Sequence, residues 1–82
     1  MKIFAVIENP PSTGRIRRGR FLTAMKTRGF LNLPGVPAGW VADHQYSTVD
    51  EARNAIADAS TVSGVAIHRA YVIEYGNFAM LP

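Results

Sequence analysis

The side chains that could do chemistry are few. Two imidazoles, His44 and His68, share the chain with Asp43, Asp50 and four serines. A metal-bound pair on a helix needs histidines at i and i+4, and a nucleophile needs a base oriented by a third group. Neither arrangement is legible in the spacing. His68 falls on the less apolar side of a strand pattern, where a half-buried neutral imidazole is ordinary, and His44 reads as a surface residue near a strand end. Gly14-Arg15-Ile16-Arg17-Arg18-Gly19 has the glycine spacing of a phosphate-binding loop, but Arg20 and Phe21 follow where lysine and a hydroxyl residue are required. Nothing would then reach the terminal phosphates or hold magnesium, so nucleotide hydrolysis is not expected. A reduced form of the idea survives, in which amides at the start of a helix near Gly19 hold an anion beside Arg17, Arg18 and Arg20 without turning it over. No catalytic residue, metal site or cofactor is expected, and the chain reads as non-enzymatic.

Charge is the stronger signal. Arg15, Arg17, Arg18, Arg20, Lys26 and Arg28 fall within fourteen positions, and no acid lies between Glu8 and Asp43. The segment from Pro10 to Ala42 therefore carries +6, and the rest of the chain sums to −3. Arginine outnumbers lysine in the cluster five to one. Planar guanidinium forks suit bidentate contact with phosphates or carboxylates, which points to recognition rather than to solubility alone. Aromatic residues lie close by in sequence. Phe21 and Phe30 could stack or pack in a core, and Trp40 is the expected anchor of a binding surface. The expected binding set is Arg15, Arg17, Arg18, Arg20, Lys26, Arg28 and Trp40.

These residues must be positioned by a small frame. Ile3 to Ile7 is a β-branched and aromatic run closed by Asn9-Pro10-Pro11, which suits a central strand buried on both faces. Pro11 to Gly14 reads as a turn. Phe21, Leu22 and Met25 then suggest a helix from about Gly19 to Arg28, with Gly29 at its end. The competing reading pairs Arg15 to Ala24 with the first strand as a hairpin. Leu31 to Gly39, with two prolines and two glycines, reads as an ordered loop, and Trp40 to Tyr46 as a short strand. Thr48-Val49-Asp50-Glu51 matches a capping box, in which a threonine hydroxyl and a glutamate three residues on satisfy orphan amides. Val49, Ala52, Ala55, Ile56 and Ala59 follow at helical spacing and give a small-residue face for a sheet. Val65 to Tyr75 is the longest strand pattern, with Val65, Ile67, Tyr71, Ile73 and Tyr75 on one side. Tyr71 and Tyr75 are expected to be core rather than a stacking platform. Gly76-Asn77 turns the chain into a short last segment, Phe78 to Leu81.

Eighty-two residues make a single domain, 1–82, that buries only roughly 60–65% of its unfolded surface. With no cysteine, no disulfide or thiolate site reinforces it, and a homodimer is one way to enlarge the core. The five-residue apolar run near the N-terminus is too short for a signal-peptide core or a membrane span, so a soluble, cytoplasmic protein without membrane contact is expected.

Together, the short first strand KIFAVIE, the capped helix TVDEARNAIADA and the long strand GVAIHRAYVIEYG resemble the build of small phage-encoded proteins, among them anti-CRISPR proteins. That resemblance implies a stoichiometric inhibitor in a host cytoplasm whose partner is a nucleoprotein complex such as a CRISPR effector. Because this chain is basic where DNA-mimicking inhibitors are acidic, it implies a basic arginine-rich loop, Arg15 to Arg20, that occupies an acidic surface or touches the complex's nucleic acid. The alternative is a small nucleic-acid-binding module or dimeric transcriptional regulator that meets phosphates with the same arginines. The expected fold is α+β, a small, mostly antiparallel sheet of three to four strands covered by one main helix, with a second short helix allowed.

Overall fold

A computed structural model describes residues 2–43 and 45–75. Its elements run β1 (Lys2–Glu8), α1 (Arg15–Thr27), β2 (Phe30–Leu33), β3 (Val36–Asp43), α2 (Val49–Ser63) and β4 (Arg69–Tyr75). The strands form one antiparallel sheet in the order β2-β3-β1-β4. Each helix connects two parallel strands with a third between them, which is the split βαβ arrangement. The chain is α+β as expected, with four strands and two full-length helices among the described residues.

One face of the sheet makes the core. Ile3, Ala5 and Ile7 of β1 are buried and alternate with half-buried Lys2, Phe4 and Val6, because successive side chains of a strand point to opposite faces. Phe21, Ala24 and Met25 of α1 and Ala52, Ile56 and Ala59 of α2 cover the buried side. Phe21 meets Trp40 edge-on, with ring centroids 5.8 Å apart at 90°. The shortest extent of the molecule is 20 Å, about one sheet layer plus one helix layer of ~10 Å each. The first strand is central, but it is covered on one face only, not on both.

Two segments differ from the sequence expectation for local reasons. Leu31 to Gly39 is not a loop: β2 and β3 join through Pro34-Gly35, with Leu33 paired to Val36 and Gly35 at φ +74°. Proline followed by a left-handed glycine is the chemistry of a type II turn. The register then shifts between Asn32 and Leu33, which leaves Pro37 to Gly39 bulged. The Asn32 side-chain amide donates to the Pro37 carbonyl (3.1 Å) and the Gly39 carbonyl (2.8 Å). Proline is tolerated there because a bulge does not require its missing N–H.

The second difference is at Val65, which caps α2 instead of opening a strand. Gly64 adopts φ +70°, the Val65 N–H donates to the Ser60 carbonyl at 3.2 Å, and the Val65 side chain is buried. This is a Schellman-type helix end with its apolar plug, and it withholds Val65 from the ladder. The expected threonine cap is present, with the Glu51 N–H donating to Thr48 Oγ1 (3.1 Å), and the Glu51 carboxylate accepts from the Ser47 N–H (3.3 Å), one residue before the cap. His44, the turn at Gly76-Asn77 and the segment Phe78 to Leu81 lie outside the described residues.

Candidate functional site

The arginine cluster is helical from its first member. Pro10 accepts from the Thr13 N–H at 2.9 Å and turns the chain, and Gly14, extended at φ −76° and ψ 169°, is the residue before the helix. The helix thus begins at Arg15 rather than near Gly19, and neither a loop nor a hairpin carries the arginines. Arginine is a good helix former, but the end signals oppose a start here. Gly14 offers no side-chain cap, the first turn holds no acid, arginines crowd the positive end of the helix dipole, and Gly19 sits inside the helix. Burial of Phe21, Ala24 and Met25 decides the outcome, as packing commonly does for short helices.

At 100° per residue, Arg15, Arg17, Arg18 and Arg20 point in four different directions around α1. All four are exposed, and among the described residues none forms an ion pair. Arg18 borders a cleft of about 500 Å³ whose walls include Pro10, Pro11, Phe21, Leu22 and Asn32. Arg20 borders a groove of about 660 Å³ between the two helices, with Ile16 and Val62 on its rim. Ile16 is 74% and Val62 70% exposed. Guanidinium groups therefore alternate with exposed aliphatic side chains. The first regular backbone bond of α1 runs from the Arg18 N–H to the Gly14 carbonyl at 3.0 Å, so the amides of Arg15, Ile16 and Arg17 have no intrahelical acceptor.

The other expected binding residues separate. Lys26 is exposed in the last turn, where a cation favours the helix dipole. Arg28 is structural: its Nη1 donates to the Ala24 carbonyl at 2.9 Å, and its own carbonyl accepts from the Tyr46 hydroxyl. Burial pushes the Tyr46 phenol above its ordinary pKa, partly offset by the Arg28 guanidinium. Trp40 is not an exposed anchor. It lies on the covered face of β3, 4% exposed against Phe21, and Phe30 is likewise core.

The glycine pair at 14 and 19 brackets a helix cap and a helix interior, so it forms no phosphate-cradling loop. His68 is exposed and joins the ladder through its backbone N–H to the Glu8 carbonyl. No cluster of three metal-ligating side chains occurs among the described residues. No helix there is long and apolar enough to cross a membrane.

A second surface was assigned by the sequence to the core. Tyr71 is 54% and Ile73 50% exposed, on the face of the sheet away from both helices. Their alternation was legible, but which side the helices cover was not. The helix-facing residues of β4, Ala70, Val72 and Glu74, are the less apolar set, and only Val72 is even half-buried. The chain matches no family model, no curated protein and no solved structure in comparison with known proteins.

Proposed function

We propose that the chain is a non-catalytic, stoichiometric binding protein that blocks a host nucleoprotein complex, in the manner of an anti-CRISPR inhibitor, through the first two turns of α1. One observation carries this reading: four exposed arginines without ion-pair partners among the described residues are interleaved with exposed Ile16, Leu22 and Val62. Arginine beside apolar anchors is the composition of a protein interface, where guanidinium groups pair with carboxylates and the aliphatic groups exclude water. A purely phosphate-tracking surface has no use for exposed isoleucine and valine. A second reading, a nucleic-acid module, is favoured by the uncapped amides of Arg15 to Arg17, which suit a phosphate.

A pull-down from host lysate separates the two. Wild-type protein and the variant carrying Arg15→Glu, Arg17→Glu, Arg18→Glu and Arg20→Glu are compared with and without nuclease. A discrete protein complex that survives nuclease and disappears with the charge reversal supports the inhibitor. Nucleic acid alone, lost to nuclease, overturns it in favour of the module, whose affinity for arbitrary duplex would fall steeply with salt.

A further inference from the structure

We propose that the open face of the sheet is the interface of a homodimer in which two copies pack sheet on sheet. An antiparallel sheet with one solvent-facing side should present polar residues there. Here the register instead aligns Leu31, Val41, Phe4 and Ile73 as one apolar row across all four strands. The adjoining pair, Val6 and Tyr71, extends it. Leu31, Tyr71 and Ile73 are each at least half exposed, and contiguous apolar exposure of this kind on a small domain marks an interaction site.

The charges of the face select the occupant. Lys2 lies opposite Asp43, and Glu8 pairs with Arg69 at 3.8 Å, so the margins of the face are neutral. Arg15, Arg17, Arg18, Arg20 and Lys26 sit on α1, in the opposite layer. A phosphate backbone thus finds no attraction on the sheet, and a neutral apolar face fits a second copy of itself. The 26 residues of the four strands, each ~3.3 Å long on strands ~4.8 Å apart, frame about 410 Å² before side-chain relief is counted. That is close to the ~500 Å² per partner at which specific interfaces begin. Packing the two sheets face to face also places both arginine clusters on the outer layers, where they do not repel, and adds a second apolar layer to a domain whose helix-covered core draws little volume from Ala5, Ala24, Ala42, Ala52 and Ala59.

The test is sedimentation equilibrium of the full chain over micromolar to near-millimolar concentrations, for wild type and for Ile73→Lys, Leu31→Lys and Asp58→Lys. Circular dichroism establishes that each variant is folded. The wild type should reach twice the 9.0 kDa chain mass. Either lysine on the sheet, left as a buried unpaired charge, should weaken association roughly 100-fold or more. Asp58→Lys, exposed on the helical layer, should dimerise as the wild type does. Two sheet sites on different strands guard against one variant simply failing to fold. A wild type that stays monomeric throughout overturns the proposal, whether the face then proves to bind single-stranded nucleic acid, read by the fluorescence anisotropy of a labelled oligonucleotide, or residues 76–82. A dimer indifferent to both sheet lysines overturns it equally. Loss of host-complex binding in the arginine variant leaves this result untouched, so the two proposals fail separately.

Discussion

The two helices of this domain pack on the same sheet and are built by opposite rules. In α2, a threonine caps the N-terminus, Asp50 and Glu51 sit in the first turn, a left-handed glycine closes the C-terminus, and alanines line the buried face. Each feature lowers the free energy of the helix locally. α1 has no side-chain cap, no acid and several arginines at its positive end, and a glycine in its interior. Such local violations concentrate where a surface is shaped for something other than folding. The comparison places local stability in α2 and is what the proposed binding role of α1 rests on.

The largest effect that can break this comparison is truncation of what holds α1 down. Met25 is fully buried, and Met25→Ala should cost about 2–5 kcal/mol, a large part of the ~5–15 kcal/mol expected of a domain. Because α1 lacks local support, hydrogen exchange should show its amides losing protection before those of α2. Uniform loss across both helices would contradict the assignment.

A sharper comparison applies one substitution to both helices. Gly64 needs φ +70°, so Gly64→Ala should destabilise by about 1–2 kcal/mol. Gly19 lies in regular helix, and an added Cβ there meets nothing within 4 Å. Gly19→Ala should accordingly stabilise by about 1 kcal/mol, raising the melting temperature by ~4–8 °C. If that variant gains stability but loses the partner, the glycine serves close approach at the groove. Equal signs for the two substitutions would refute the contrast.

The smallest effect concerns the junction below α1. The Tyr46 hydroxyl donates to the Arg28 carbonyl, and Tyr46→Phe should cost about 1 kcal/mol at neutral pH. The fold holds the protonated phenol, whose pKa is raised. Its contribution is therefore complete below the ordinary 10.0 and is lost as pH rises through the folded value. Melting temperatures followed into alkali should drop less steeply in the variant than in the wild type.

How much of this could be read from the sequence depended on whether local and tertiary preferences agreed. They agree in α2, so its threonine cap and small-residue face were legible. They also agree along β1, whose central place was legible. They disagree from Arg15 to Gly19, where the missing cap, the helix dipole and Gly19 oppose a helix that packing nonetheless completes. Pro37 obscured β3, because a bulge tied by Asn32 is not visible without the partner strand. At the candidate site, exposure of Arg15, Arg17, Arg18 and Arg20 followed from their charge, whereas the burial of Trp40 and the anchoring of Arg28 depend on contacts distant in sequence. The open face was hidden for a related reason, since alternation along β4 separates two faces without saying which one the helices cover.

On the proposed reading, the arginines at the start of α1 serve binding at a cost to folding. Thermal melting at low ionic strength of the variant carrying Arg15→Glu, Arg17→Glu, Arg18→Glu and Arg20→Glu tests it most directly. Replacing cations by acids at the positive end of a helix should gain ~0.3–1 kcal/mol for each first-turn site. The melting temperature should therefore lie at least ~4 °C above that of the wild type, in a variant that is also expected to lose the proposed partner. A lower melting temperature would show that these arginines hold the fold together and would contradict the account.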